Sequence, residues 1–139
     1  MEAKELMIGD WVQGFVPDSY STIYGIFNEG RIAITAEPNK TYIELSPENV
    51  QPIPLTPDIL EKNGFENVSV IIVGTAKMRW VSEDTRTEIT IWMDDTLPME
   101  IVKNIYYEDE VSYTLPFPGT VHQLQHALRL CGITKEIQI

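Results

Sequence analysis

Two histidines, His122 and His126, stand four residues apart near the end of the chain. If that segment is helical, their rings share one face with Gln125 and Arg129, a spacing at which two imidazoles can grip one metal ion. A zinc centre wants three or four ligands. No glutamate follows His122 as in a His-Glu-x-x-His metalloprotease, no matching cysteine, histidine or carboxylate pair accompanies them, and Arg129 one turn on would repel a cation. A polar face packed against a loop is therefore the preferred reading, with His122 and His126 kept as the metal candidates. Cys131 is the only thiol. It falls in the last turn of the same segment, where the helix dipole disfavours a thiolate, and on its apolar stripe, so it reads as a small core residue.

The other groups able to do chemistry are carboxylates, cations and indoles. Asp94-Asp95 and Glu108-Asp109-Glu110 could bind calcium or act as an acid/base pair, but neither has the alternating ligands and glycine of a calcium loop, and both read as solvated corners. Lys77, Arg79 and Arg86 are the one basic concentration, on a single hairpin. Lys77 and Arg79 share a face, so these three are the candidates for meeting an acidic partner, the alternative being a wet strand face. Trp11, Trp80 and Trp92 could line a groove, although aromatics in small β domains usually enter the core. No phosphate loop, dinucleotide fingerprint or Gly-x-Ser-x-Gly elbow occurs. The sequence thus implies no catalytic residue, no cofactor and no cofactor-binding residue.

The elements that must position these groups are mostly strands. Residues 1–51 read as a small antiparallel β module, similar to SH3-like barrels. A Gly9-Asp10 entry turn runs into Trp11-Val12, and strands follow over 22–27, 31–36 and 41–45. Gly25 inside the strand over 22–27 suggests a bulge. Residues 52–65 form a hinge: Thr56 suits a helix N-cap, Pro57 the first helical position, Asp58 the positive helix end, and Gly64 the left-handed stop before Phe65. Residues 66–139 read as an antiparallel meander with strands over 68–73, 77–81, 86–93, 101–107 and 110–115. Turns are expected at Gly74-Thr75-Ala76 and after Ser82. A helix from Val121 to Cys131, capped by Thr120 and closed by Gly132, presents Val121, Leu124, Ala127, Leu128 and Cys131 as one stripe able to cover the sheet. Ile133 to Ile139 reads as a short edge strand. The fold class is α+β.

The 139 residues suffice for one domain or two small lobes without a disulfide or metal staple. The opening Met1-Glu2-Ala3-Lys4-Glu5 is mixed in sign and no apolar run approaches the ~20 residues of a membrane span, so the expected compartment is the cytoplasm and no membrane partner is expected. A formal charge of −11, spread over both halves, disfavours nucleic-acid binding, which needs cations to neutralise phosphates. The acidity serves solubility, or else a basic partner or mimicry of nucleic acid.

Pro52-Ile53-Pro54-Leu55-Thr56-Pro57-Asp58-Ile59-Leu60 with Gly64-Phe65, and Val121-His122-Gln123-Leu124-Gln125 with Leu128 and Gly132, resemble a family of small uncharacterised proteins of gut Bacteroides-type bacteria, their phages and mobile elements. The order and spacing of these motifs cover most of the chain. It departs from the family at His126 and in the isoleucine-rich tail. The resemblance implies an accessory, cytosolic role and carries over no functional residue. The expected function is a non-enzymatic binding or accessory protein acting through protein contacts. The alternatives are an enzyme or metal-binding protein with a site assembled from distant turns and the last helix, and an acidic nucleic-acid mimic.

Overall fold

The structure, a computed structural model, describes residues 5–14, 19–28, 30–36, 41–68, 75–82, 87–94, 99–105, 111–115 and 119–139. It is an α+β fold with two antiparallel sheets. The chain divides into two units, Met1–Ile53 with Thr120–His122 and Ile139, and Pro54–Gly119 with Gln123–Gln138. Among the described residues no helix is long and apolar enough to cross a membrane.

The first unit is a four-stranded sheet in the order β1-β2-β3-β4, made of β1 (Trp11–Gln13), β2 (Tyr20–Ile26), β3 (Ile32–Ala36) and β4 (Thr41–Leu45). The entry turn is tied by Asp10, whose buried carboxylate accepts the Met7 N–H at 2.7 Å. The register slips between Ile23 and Gly25, which is the bulge that the glycine signalled. Alternation along the strands sends Val12, Ile23, Ile32 and Ile34 inward, where they form the core of this unit with Leu6 and Val50 and with Leu45 packed beside them. A single 3₁₀ turn, Pro47–Asn49, returns the chain so that Gln51 exchanges both main-chain hydrogen bonds with Gln13.

The hinge behaves as its residues dictate. Thr56 Oγ1 accepts the Ile59 N–H, Pro57 opens α1 (Pro57–Lys62), and Asp58 and Lys62 match the two ends of the helix dipole. Gly64, at φ 83°, lets Phe65 N–H return to the Leu60 carbonyl and Gly64 N–H to that of Glu61. Only a residue without Cβ takes that backbone cheaply. Leu60 and Phe65, the two apolar positions of this stop, are both buried.

The second unit holds a five-stranded meander in sequence order, β5 (Glu66–Asn67), β6 (Thr75–Ser82), β7 (Thr87–Asp94), β8 (Met99–Ile105) and β9 (Val111–Leu115). Of the expected strand 68–73, residues 69–73 lie outside the described residues. Thr75 and Ala76, expected in a turn, begin β6 instead, paired with Asp94 and Met93. Met78, Ile89, Ile91 and Ile101 bury the inner face. Along the helix α2 (Val121–Leu130) and the residue that follows it, Val121, Leu124, Ala127, Leu128 and Cys131 are buried, all of the expected stripe. Its stop repeats that of α1, with Gly132 at φ 73° and Ile133 N–H returning to the Leu128 carbonyl.

The tail corrects the expected edge strand, because residues 133–139 adopt no strand. Asn63 takes the place of a strand partner. Its Nδ2 donates to the Gln138 carbonyl and its Oδ1 accepts the Gln138 N–H, each at 2.7 Å, while Nδ2 also donates to the Ile59 carbonyl. A single side chain thus satisfies the backbone of Gln138, and the residue before it, Ile137, is buried.

Candidate functional site

The inward set of the first sheet determines what faces outward. With Val12 and Ile23 in the core, Trp11, Tyr20 and Thr22 occupy the opposite face, since Trp11 pairs with Thr22 and Gln13 with Tyr20. On β3 and β4 the same face carries Ala33 and Thr35, then Tyr42 and Glu44, paired as Thr35 with Tyr42 and Ala33 with Glu44. Thr22 and Thr35 lock the middle of it, their hydroxyl oxygens 3.0 Å apart. At the bulge, Tyr24 is the extra residue of β2, and it lands beside Tyr42. The two rings are 5.6 Å apart between centroids and within 4° of parallel. Both remain open to solvent, Tyr24 at 60% and Tyr42 at 54%. The Phe27 ring reaches back over Gly25, where an added Cβ would meet it at 3.9 Å. An Arg31–Glu44 ion pair at 3.4 Å marks one border.

This arrangement is a solvent-open aromatic surface on the sheet, with Tyr24 stacked on Tyr42. Rings held this way offer contact area at low entropic cost, phenol oxygens at the rim, and faces for a guanidinium or ammonium. It has the makings of recognition, with no nucleophile and base set among its described residues.

The groups singled out in the sequence lie elsewhere. His122 is buried with Nδ1 3.0 Å from the Thr120 hydroxyl, and His126 is half-buried one turn on. Among the described residues no three of His, Cys, Asp and Glu gather as a metal site would require. Lys77 and Arg79 do share the outer face of β6. The Lys77 ammonium rests 4.8 Å from the Trp92 ring centroid across the strand pair, and Arg79 Nη2 meets Glu88 at 3.0 Å. Arg86, Asp95 and Glu108-Asp109-Glu110 lie outside the described residues, while Asp94 closes β7. Cys131 is buried. The tryptophans correct the expectation of core indoles: Trp11 and Trp80 are half-buried and Trp92 is exposed. The tyrosines belong to no motif in the sequence, although the alternation in Thr41-Tyr42-Ile43-Glu44-Leu45 separates Tyr42 and Glu44 from Ile43 and Leu45. What could not be read there is that the bulge brings Tyr24 to Tyr42.

Comparison with known proteins finds no matching family model, no matching curated protein and no matching solved structure.

Proposed function

We propose that this protein is a non-enzymatic accessory protein that acts through protein contacts, its N-terminal sheet receiving an extended, basic segment of a partner across Trp11, Tyr20, Tyr24 and Tyr42. The exposed stack of Tyr24 on Tyr42 carries this reading. Two large rings left in water cost solvation that burial against a partner recovers, and aromatic anchors dominate many interfaces. The basic character of the partner follows from charge. Residues 1–53 hold three basic against eight acidic side chains, and tyrosine faces attract cations. The SH3-like reading of these strands supports the same use, since small β modules of that kind take peptides on aromatic surfaces. The likeness of the hinge and last helix to mobile-element proteins of gut bacteria supports an accessory role in the cytoplasm.

The test is a chemical-shift titration with two decapeptides, alternating Arg-Pro and alternating Glu-Pro. The basic peptide is expected to shift the amides of Tyr24, Thr35 and Tyr42 saturably, and the acidic one to leave them in place. The Tyr24→Ser/Tyr42→Ser double variant is expected to weaken binding about tenfold, the equivalent of ~1.4 kcal/mol of lost aromatic contact. Equal response to both peptides, or binding indifferent to the tyrosines, refutes the proposal.

A further inference from the structure

In the second unit the inner face of the sheet changes character along its length. Met78, Ile91 and Ile101 are fully buried at one end. Toward the other end the same face presents Trp80 and Lys103, and then Ser82 and Thr87, which are paired across β6 and β7. The chain leaving α2, residues 131–135, runs along this end and borders an open cleft of about 480 Å³. That lies within the range of small-molecule sites. Its lining includes Trp80, Ser82, Thr87, Lys103, Cys131 and Lys135.

Both charged groups among these described lining residues are ammonium groups. Lys103 is fixed from both sides: its stem rises from β8, and its Nζ donates to the Cys131 carbonyl at the C-terminal end of α2. An ammonium has three donors, so that bond leaves others for the cleft. Lys135 lies with Nζ 5.3 Å from the Trp80 ring centroid. The chain holds only ten basic residues against twenty-one acidic ones. Two cations thus line one cleft, with no carboxylate among its described lining residues.

We propose that this cleft binds a small planar organic anion. The anionic group, a carboxylate or a phosphate monoester, bridges Lys103 and Lys135, with the Ser82 and Thr87 hydroxyls beside it. The flat apolar part lies on the Trp80 ring in place of the Lys135 ammonium, which swings from the indole to the anion. Charge-assisted bonds supply the orientation, and the indole face supplies the contact area. None of the described lining residues belongs to the tyrosine surface of the first unit.

The test is a chemical-shift titration of the full chain with phenyl phosphate, benzoate, inorganic phosphate and benzyl alcohol. Phenyl phosphate or benzoate is expected to shift the amides of Ser82, Thr87, Gly132 and Thr134 saturably, and which of them does so identifies the anionic group. Inorganic phosphate is expected to bind about tenfold more weakly or not at all, and benzyl alcohol to leave the amides unmoved. Lys103→Gln and Lys135→Gln should each weaken the better anion about tenfold, one charge-assisted bond's worth. Lys135→Gln keeps the test decisive if Lys103→Gln, which loses its bond to the end of α2, fails to fold. Tyr24→Ser/Tyr42→Ser should change nothing. The proposal is overturned if neither organic anion gives saturable shifts up to about 10 mM, a Kd weaker than any useful small-ligand affinity. It is also overturned if benzyl alcohol binds as well as the anions, or if Lys135→Gln binds as the natural sequence does.

Discussion

Replacing Asn63 with alanine removes the side chain that ties down the C-terminal tail at Gln138. Three hydrogen bonds go with it, two to the main chain of Gln138 and one to the Ile59 carbonyl. Their losses are unequal. The Ile59 carbonyl keeps the Asn63 backbone N–H, and Gln138 is exposed enough for water to reach its N–H and carbonyl. With no group left buried and unpaired, each bond counts at its net worth of about 0.5–1.5 kcal/mol. The sum is about 3 kcal/mol, which for a chain of this size lowers Tm by roughly 10 °C. The backbone itself does not resist alanine, since Asn63 sits at φ −96° and ψ 14°. Asn63→Asp sharpens the test. The carboxylate still accepts the Gln138 N–H, but it turns an anion toward two carbonyl oxygens that the amide had satisfied as a donor. Its folded-state pKa is thereby raised above the unfolded value. The folded form then binds more protons than the unfolded one, and the variant gains stability as pH falls through that raised pKa. Thermal melts from pH 4 to pH 7, with hydrogen exchange at the Gln138 amide, read both effects. An alanine variant within about 0.5 kcal/mol of the natural sequence, the scatter of ordinary surface substitutions, would show that the tail is held by something else.

Leu124→Ala and Leu128→Ala should each cost about 2–5 kcal/mol in urea denaturation, because both side chains are buried on α2. Gly64→Ala and Gly132→Ala should each cost about 1–2 kcal/mol and by similar amounts. At Gly132 an added Cβ meets nothing within 4 Å, and at Gly64 it meets only the Trp80 ring at 4.0 Å, so left-handed backbone strain is the whole effect. Added zinc should leave Tm unchanged, while His122→Ala, which breaks a buried contact with Thr120, costs about 1–3 kcal/mol. His126→Ala should cost less, and a zinc stabilisation lost in either variant would reverse this ordering.

What was legible in the sequence was whatever is enforced within a few residues. The hinge needed Thr56 before Pro57 and Gly64 before Phe65, each a local backbone requirement, and all four stand where those requirements put them. The stripe of α2 and the bulge at Gly25 are equally local. The tail failed for the opposite reason. Ile133, Ile137 and Ile139 suggest a strand, but Lys135 breaks the alternation. The group that satisfies the backbone is a side chain 75 positions away. The stacked tyrosines and the lysine cleft are likewise products of register and of a chain running alongside, which composition does not encode. Trp80 shows the limit most directly. An indole with a lysine on its face looks, in sequence, the same as an indole in a core.

The two proposed sites sit in one acidic molecule, and that gives them opposite responses to salt. A basic peptide approaching the tyrosine surface is drawn by the whole negative charge, an attraction acting over distances that ions screen within ~10 Å at 0.1 M. Its binding should weaken as salt is raised, and the loss should fall mainly on the association rate. A planar anion approaching the lysine cleft is repelled by the same field until it touches Lys103 and Lys135. Salt screens the long-range repulsion, while the contact bonds, formed inside a cleft with water displaced, are screened less. Anion binding should therefore hold steady or strengthen between low and moderate salt. If both ligands weakened in parallel, the anion would be responding to surface lysines in open solvent, and the cleft would have no part in its recognition.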